Sequence, residues 1–333
     1  MAVTRKDVAL RAGVSTAVVS YVLNDGPRPV SQAARARVLA AIEELGYQRD
    51  GVARMLALGR SSTLGLVVPD IVMPYFGRLS QAISSLAFEQ GLELLVATTD
   101  WDLAKERANL RALVERRVDG IIVVSVDRHQ DFGPYTTLGT PIVVVDRPEF
   151  AVRGTALVTE HLLSHGHERI AMLGGPEGIS STRRRHQGWR QVLAGAGLHA
   201  GDDYVCAAPL TESGGYHAVD QVLAMNPRPT AALVSHDVQA FGVVRRLYER
   251  GVTVPDDFAF AVANATDLAQ FTVPSLTSLV APTLDIAGAA IKAVGQAGDE
   301  LVQTINLANY ALAKRESCGC AGSRTAVLDS DEP

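Results

Sequence analysis

Few side chains in this sequence are placed to do covalent chemistry. His161, His165 and His167 crowd the end of one amphipathic segment, yet only the first pair has the i, i+4 spacing of ligands on a helix face, and no acid completes a set. They read as polar decoration of a helix C-terminus, whose partial negative charge favours them. Cys318 and Cys320 lack the spacing of a zinc knuckle, and with Cys206 they make only three cysteines, too few for a disulfide framework. The expectation is reduced thiols, no metal and no cofactor. Gly174-Gly175-Pro176-Glu177-Gly178 follows an apolar run but has neither a dinucleotide fingerprint nor the lysine of a phosphate loop. No Gly-x-Ser-x-Gly elbow occurs, so catalysis has no carrier and an enzyme is not expected. Recognition has one: Ser15, Thr16, Ala17, Ser20 and Tyr21 would share the exposed front of a short helix that follows a glycine turn, the arrangement with which a helix-turn-helix reads the major groove.

The elements that must position these groups fall into two rhythms. In the first 45 residues, Thr4 can cap a helix with apolar Val8, Ala9 and Ala12, and Gly13 permits a sharp turn. Ser15 can then cap a second helix with Val18, Val19, Val22 and Leu23, and Ser31 a third with Val38, Leu39, Ile42 and Leu45, closed by Gly46. The stretch 46–62 is a linker in which Asp50 could cap a helix through Val52, Ala53, Met55, Leu56 and Ala57, too short to persist alone. From Thr63 onward, apolar runs of four to six residues alternate with amphipathic segments. Strands are expected at 64–68, 94–98, 120–124, 142–145, 170–173, 231–234, 258–262 and 277–280. Helices are expected at 76–89, 103–115, 155–164, 184–194, 216–224 and 238–250. So many buried strands imply an α/β body of two doubly wound lobes behind an all-α head. The first lobe would take 63–150 and 277–300, the second 151–276, with a polar tail at 321–333.

Bulk properties agree with that division. The chain has 333 residues, 47% apolar and 20% charged, with a net charge of -5, a size for two or three domains. Residues 1–60 hold nine Lys or Arg against five acids, so the head is basic and the body acidic, as suits a partner with a phosphate backbone met by one end. The start, Thr4-Arg5-Lys6-Asp7, is not an apolar signal core, and no apolar run approaches a bilayer's span. A cytoplasmic protein is expected.

The head motifs Asp7-Val8-Ala9, Ala12-Gly13-Val14-Ser15, Val19-Ser20, Val22-Leu23-Asn24 and Ala41-Ile42-Glu43-Glu44-Leu45-Gly46-Tyr47 resemble the lactose-repressor (LacI/GalR) family in order and spacing. The resemblance implies a repressor that binds a pseudo-palindromic operator as a homodimer, with Thr16, Ala17 and Tyr21 facing bases. Many members carry an arginine where Tyr21 stands, a residue that holds guanine bidentately as tyrosine does not. Thr4, Asn24, Arg28 and Ser31 would sit at the DNA, the last three against phosphate. Gly51-Val52-Ala53-Arg54-Met55-Leu56-Ala57 is similar to the family's hinge helix, in which Val52, Ala53 and Leu56 would meet the minor groove and Leu56 would wedge a base step.

The likeness extends over the body through Leu64-Gly65-Leu66-Val67-Val68-Pro69-Asp70, Arg117-Val118-Asp119-Gly120-Ile121-Ile122-Val123, Pro141-Ile142-Val143-Val144-Val145-Asp146-Arg147, Gly166-His167-Glu168-Arg169-Ile170-Ala171 and Arg315-Glu316-Ser317-Cys318-Gly319, and implies a periplasmic-binding-protein-like fold. A small-molecule effector, a sugar or sugar derivative, would lie in the cleft beyond the strands' carboxyl ends. The candidates there are Asp70, Tyr75, Phe76, Asp100, Trp101, Asp146, Arg147, His236, Asp237 and Asn264, with Arg185 matching the family's effector-gripping arginine. Two departures stand out: Ala263-Asn264-Ala265 replaces the usual Phe-Asp-Asp, and only 148–154 links Arg147 to the next helix, where the family places a further strand ending in Asp-Asn. That deletion is expected to leave a sheet edge open. A transporter's solute-binding protein would share the body but need no DNA head, and an altered pocket that binds nothing would leave a constitutive repressor.

Overall fold

The computed structural model describes residues 3–24, 28–47, 60–127, 129–145, 150–305 and 311–320, and the chain divides into two units, Met1–Ser61 and Ser62–Pro333. In the first, local groups set the helix ends that the described residues include. Helix α1 (Arg5–Ala12) opens on a capping box: the Thr4 hydroxyl accepts the Asp7 N–H at 3.4 Å, and the Asp7 carboxylate accepts the Thr4 N–H at 2.8 Å. Gly13, at φ +64°, ends it, and the next amide, Val14 N–H, returns to the Ala9 carbonyl at 3.1 Å. Helices α2 (Thr16–Asn24) and α3 (Gln32–Leu45) are capped by Ser15 and Ser31, whose hydroxyls accept from Val18 and Ala34 at 3.3 Å each, and Gly46 at φ +61° closes α3. Val8, Ala9, Ala12, Val19, Val22, Val38 and Ala41 form their shared core. Arg11 pairs with Glu44 at 2.6 Å, and Arg37 Nε donates to the Ala12 carbonyl at 3.0 Å, tying α1 to α3 from outside.

The second unit alternates strand and helix. It runs β1 (Thr63–Val68), α4 (Pro74–Glu89), β2 (Glu93–Thr98), α5 (Leu103–Glu115), β3 (Gly120–Val123), β4 (Ile142–Val145), then a π-helical turn (Phe150–Gly154) into α6 (Thr155–Ser164). There follow β5 (Ile170–Gly174), α7 (Ser180–Gly195), β6 (Val205–Ala207), α8 (Glu212–Leu223), β7 (Ala231–Val234), α9 (Asp237–Glu249), β8 (Ala259–Ala265) and β9 (Ser278–Val280). The chain ends with α10 (Thr283–Gly295), β10 (Val302–Ile305) and β11 (Ala311–Ala313). One sheet has the order β10-β4-β3-β1-β2, the other β11-β9-β8-β7-β5-β6. Among the described residues every pairing is parallel except β11 against β9. Runs buried on both faces, such as Ile142–Val145 and Ala231–Val234, are the central strands that such sheets require.

Two expectations need correction. The chain's return to the first lobe comes after 277, because β9 extends the second sheet's ladder (Val262↔Ser278) and only α10 and β10 go back. Nor is β4 left as an open edge: although 150–154 holds no strand, β10 pairs with β4 from Val302↔Ile142 to Ile305↔Val145, so β10 becomes the edge.

Candidate functional site

In the head, the front of α2 is built by burial of its back. Val19 and Val22 enter the core, which turns Ser15, Thr16 and Ala17 to solvent with Ser20 and Tyr21 half-buried beside them. Ser15, Ser31 and Thr4 each spend their hydroxyl on a helix cap, so their contribution to a phosphate contact would come through the helix ends they order. Arg28 is exposed, and Asn24 is the last residue of α2. Val52, Ala53 and Leu56 of the expected hinge lie outside the described residues, as do Asp146 and Arg147 of the expected pocket.

In the body, a cleft between the lobes is lined by Tyr75, Phe76, Trp101 and Ser125 from the first and by Ser181, Arg185, His236 and Asn264 from the second. Tyr75 and Phe76 are the first aromatic residues of α4, and Phe76 meets Trp101 edge-on with centroids 6.0 Å apart. Trp101 projects from a turn in which both Asp100 and Trp101 take positive φ, +51° and +63°, a conformation that costs an L-residue free energy and is held by its surroundings. Arg185 is 4% exposed. Asn264 lies near the end of β8, and its buried Oδ1 has no hydrogen-bond partner among the described residues.

Three expected ligand contacts are turned elsewhere. Asp70 accepts the Val72 N–H at 2.9 Å in a turn after β1, and Asp100 pairs with Lys105 at 2.6 Å. Asp237 is buried, but its carboxylate accepts the Thr266 N–H at 2.8 Å, the Thr266 hydroxyl at 2.7 Å and the Val238 N–H at 2.9 Å. It latches the end of β8 to the start of α9 and does not line the cleft. Burial pushes its carboxyl above the usual range against the pull of those donors.

Sequence reasoning missed Ser125, Ser180, Ser181 and Arg184, all at the cleft. The serines carry a signal in retrospect: α7 begins after Ile179, which has no capping side chain, so its first amides and the two hydroxyls face the same space. Ser125 is fixed by a buried Glu106, which accepts from its hydroxyl at 2.6 Å, from the Val126 N–H at 2.8 Å and from Gln130 Nε2 at 3.0 Å. Burial pushes the Glu106 carboxyl up, so its contribution to stability is full below the ordinary glutamate pKa and drains away as pH rises through its folded value. In Glu106→Gln the amide nitrogen would face the Val126 N–H, donor against donor. The loss expected is about 1–3 kcal/mol, read from a urea midpoint, with the pH slope of this group removed.

The histidines are also not all simple helix-end decoration. His167 bonds Thr230 Oγ1 at 3.1 Å, but His161 and His165 stand beside Cys318 and Cys320.

A helix-turn-helix head followed by a two-lobed α/β body with an interlobe cleft is the domain plan of a transcription regulator. Comparison with known proteins gives the family. Residues 4–50 match the model for bacterial regulatory proteins of the lacI family, and 159–318 match a periplasmic binding protein-like domain. The chain is 34% identical to the ribose operon repressor of Escherichia coli (strain K12), covering 86% of this chain and 91% of that protein. It is 32% identical to the HTH-type transcriptional repressor PurR of Photobacterium profundum, covering 87% and 90%. Among solved structures, the lac repressor dimer bound to operator and the anti-inducer ONPF superposes with a TM-score of 0.80 at 26% identity, covering 96% of this chain and 99% of that one. The chain belongs to the lacI family and is a DNA-binding transcription repressor.

Proposed function

We propose that this repressor holds its operator as a homodimer and is controlled by an anionic, hydroxylated small molecule, a sugar phosphate or sugar acid, bound in the interlobe cleft. The observation that carries the choice of effector is the set of N–H donors gathered at the cleft: Arg184, Arg185 and His236 line it. The starts of α4 and α7, neither with a side-chain cap, add the positive ends of two helix dipoles. Asn264 Oδ1 supplies an acceptor for a hydroxyl, and Phe76 with Trp101 an apolar wall for a sugar ring.

Exposed Leu95 and Val96 on edge strand β2, with Phe271 and Val273 on the second lobe, are the kind of apolar surface that a second copy would bury. Control would run through lobe closure. Arg78 on α4 already reaches Asp267 on the second lobe at 2.8 Å, an exposed pair worth only about 0.2–1 kcal/mol, so a ligand gripped from both sides would dominate the equilibrium. Closure would then set the spacing of the two linkers and with it the hinge helices, and DNA must shift effector affinity by the same factor as effector shifts DNA affinity. Acting on operators places the protein in the cytoplasm.

Calorimetric titration with neutral sugars, their phosphates and the matching acids tests the assignment. The charged forms should bind tighter, with salt-sensitive affinity, and Arg185→Ala should cost about 2–5 kcal/mol of it. A neutral sugar that binds as tightly as its phosphate, and with indifference to Arg185, would sink the anionic reading while leaving the repressor assignment untouched.

A further inference from the structure

We propose that His161, His165, Cys318 and Cys320 form a structural site for one zinc ion, which staples the turn at 316–320 to α6. Their ligand atoms all lie within 4.8 Å of one another. His161 Nε2 is 3.2 Å from Cys318 Sγ and 3.5 Å from Cys320 Sγ, and His165 Nε2 is 3.4 Å from Cys320 Sγ. Four ligands at zinc–nitrogen and zinc–sulfur bond lengths on a tetrahedron stand about 3.3–3.8 Å apart, so these separations already match edges of that figure.

The donor set chooses the metal. Two thiolates with two imidazoles, and no carboxylate in the cluster, suit zinc and disfavour magnesium or calcium. Local structure aims the four groups. His161 and His165 are one turn apart at the end of α6, with ring centroids 4.7 Å apart. The cysteines flank Gly319, whose φ of +86° turns the chain after Glu316–Cys318 so that both sulfurs face the helix. The Thr277 hydroxyl lies 2.9 Å from Cys318 Sγ, placed to support a thiolate as an outer hydrogen bond does at metal sites.

The four residues come from positions 157 apart in the chain for the His161–Cys318 contact, which is why neither the histidine spacing nor the cysteine spacing exposes them alone. Thr277 stands just before β9, and β9 runs parallel to β8, whose far end carries Asn264 into the cleft. The site therefore sits at the end of the second lobe away from the effector. All four protein ligands are present, which leaves no open position for substrate and marks a structural ion rather than a catalytic one.

Full-length protein, reduced and stripped with a chelator, is titrated with cobalt(II) and then with zinc(II). Cobalt should give thiolate charge-transfer absorption and visible bands of tetrahedral intensity, saturating near one equivalent and displaced by zinc, with about two protons released as the thiols ionise. Zinc should raise the melting midpoint of the wild type. His165→Leu and Cys320→Ser change groups that are not fully buried and should melt as the chelated wild type does, while their zinc affinity falls by at least about 100-fold. A cobalt complex without thiolate absorption, or metal binding that survives in the double variant, would overturn the proposal.

Discussion

Val19→Asp is expected to abolish binding to duplex DNA while the body melts as in the wild type. Val19 is fully buried in α2, in a core whose buried residues among those described are Val8, Ala9, Ala12, Val19, Val22, Val38 and Ala41, with Val14, Val18, Ile42 and Leu45 packed against it. A buried, unpaired carboxylate costs more than about 4 kcal/mol. A head of this size has a total stability of roughly 2–7 kcal/mol by the per-residue rule, so the charge removes most or all of it. The outer ties, Arg11–Glu44 and Arg37 to the Ala12 carbonyl, are exposed or half-buried and contribute at most about 1 kcal/mol each, too little to compensate. Fluorescence anisotropy on duplexes selected from a random pool should show at least about a 1000-fold loss. A thermal scan should keep the transition of the second unit, which has cores of its own. Retention of salt-sensitive DNA binding by this variant would mean that α2 is not the reading element.

The contrast between this prediction and the cleft shows what a sequence carries. The head was legible because its signals are local: Thr4, Ser15 and Ser31 cap the helix that follows each, and Gly13 and Gly46 take the positive φ that ends one. The central strands were legible because burial on both faces leaves a continuous apolar run, as in Ile142–Val145 and Ala231–Val234. Strands β6 and β11 have three residues each, and β10, Val302–Ile305, is half polar, so their existence depends on a neighbour strand and not on a pattern. Helix α10 is not among the helices expected from the sequence, though Ile286, Ala287, Ala290 and Ile291 bury one face of it.

The site divides in the same way. Residues that follow strands were located by topology, and Tyr75, Phe76, Trp101, Arg185, His236 and Asn264 do come together. What each side chain does was not legible, because it depends on distant donors: Thr266, 29 residues from Asp237, decides that this carboxylate is a latch. Asp70 shows the opposite limit, since its partner, the Val72 N–H, is only two residues away. The four metal-ligating candidates are the extreme case, a set assembled wholly by tertiary structure.

The second lobe should be the place where the smallest side chain has the largest effect. Helices α8 and α9 pack through glycines: a Cβ on Gly215 would fall on the carbonyl of Gln239, and one on Gly242 would fall on the carbonyl of Glu212 and within 2.6 Å of the Tyr216 nitrogen. These are backbone atoms, so relief requires the helices to part. Elsewhere in a helix interior Gly→Ala stabilises by about 0.8–1.0 kcal/mol through helix propensity, and Gly288 of α10, with open space around its Cβ position, should show that gain. Gly242→Ala is expected to reverse the sign, and Gly242→Val to cost more than about 4 kcal/mol. The Asp220 clamp on Arg246 and Arg250, at 2.6 and 2.9 Å, lies on the outside of the same pair and would be pulled apart with it. Because α9 also carries His236 at its start and Gln239, which donates to the carbonyls of Gly174 and Pro209 at 3.2 and 3.1 Å, the displacement reaches the cleft and the ends of two strands. Chemical denaturation of the three variants, with effector titration of whichever remain folded, checks this, and a stabilising Gly242→Ala would show that the two helices do not meet backbone to backbone.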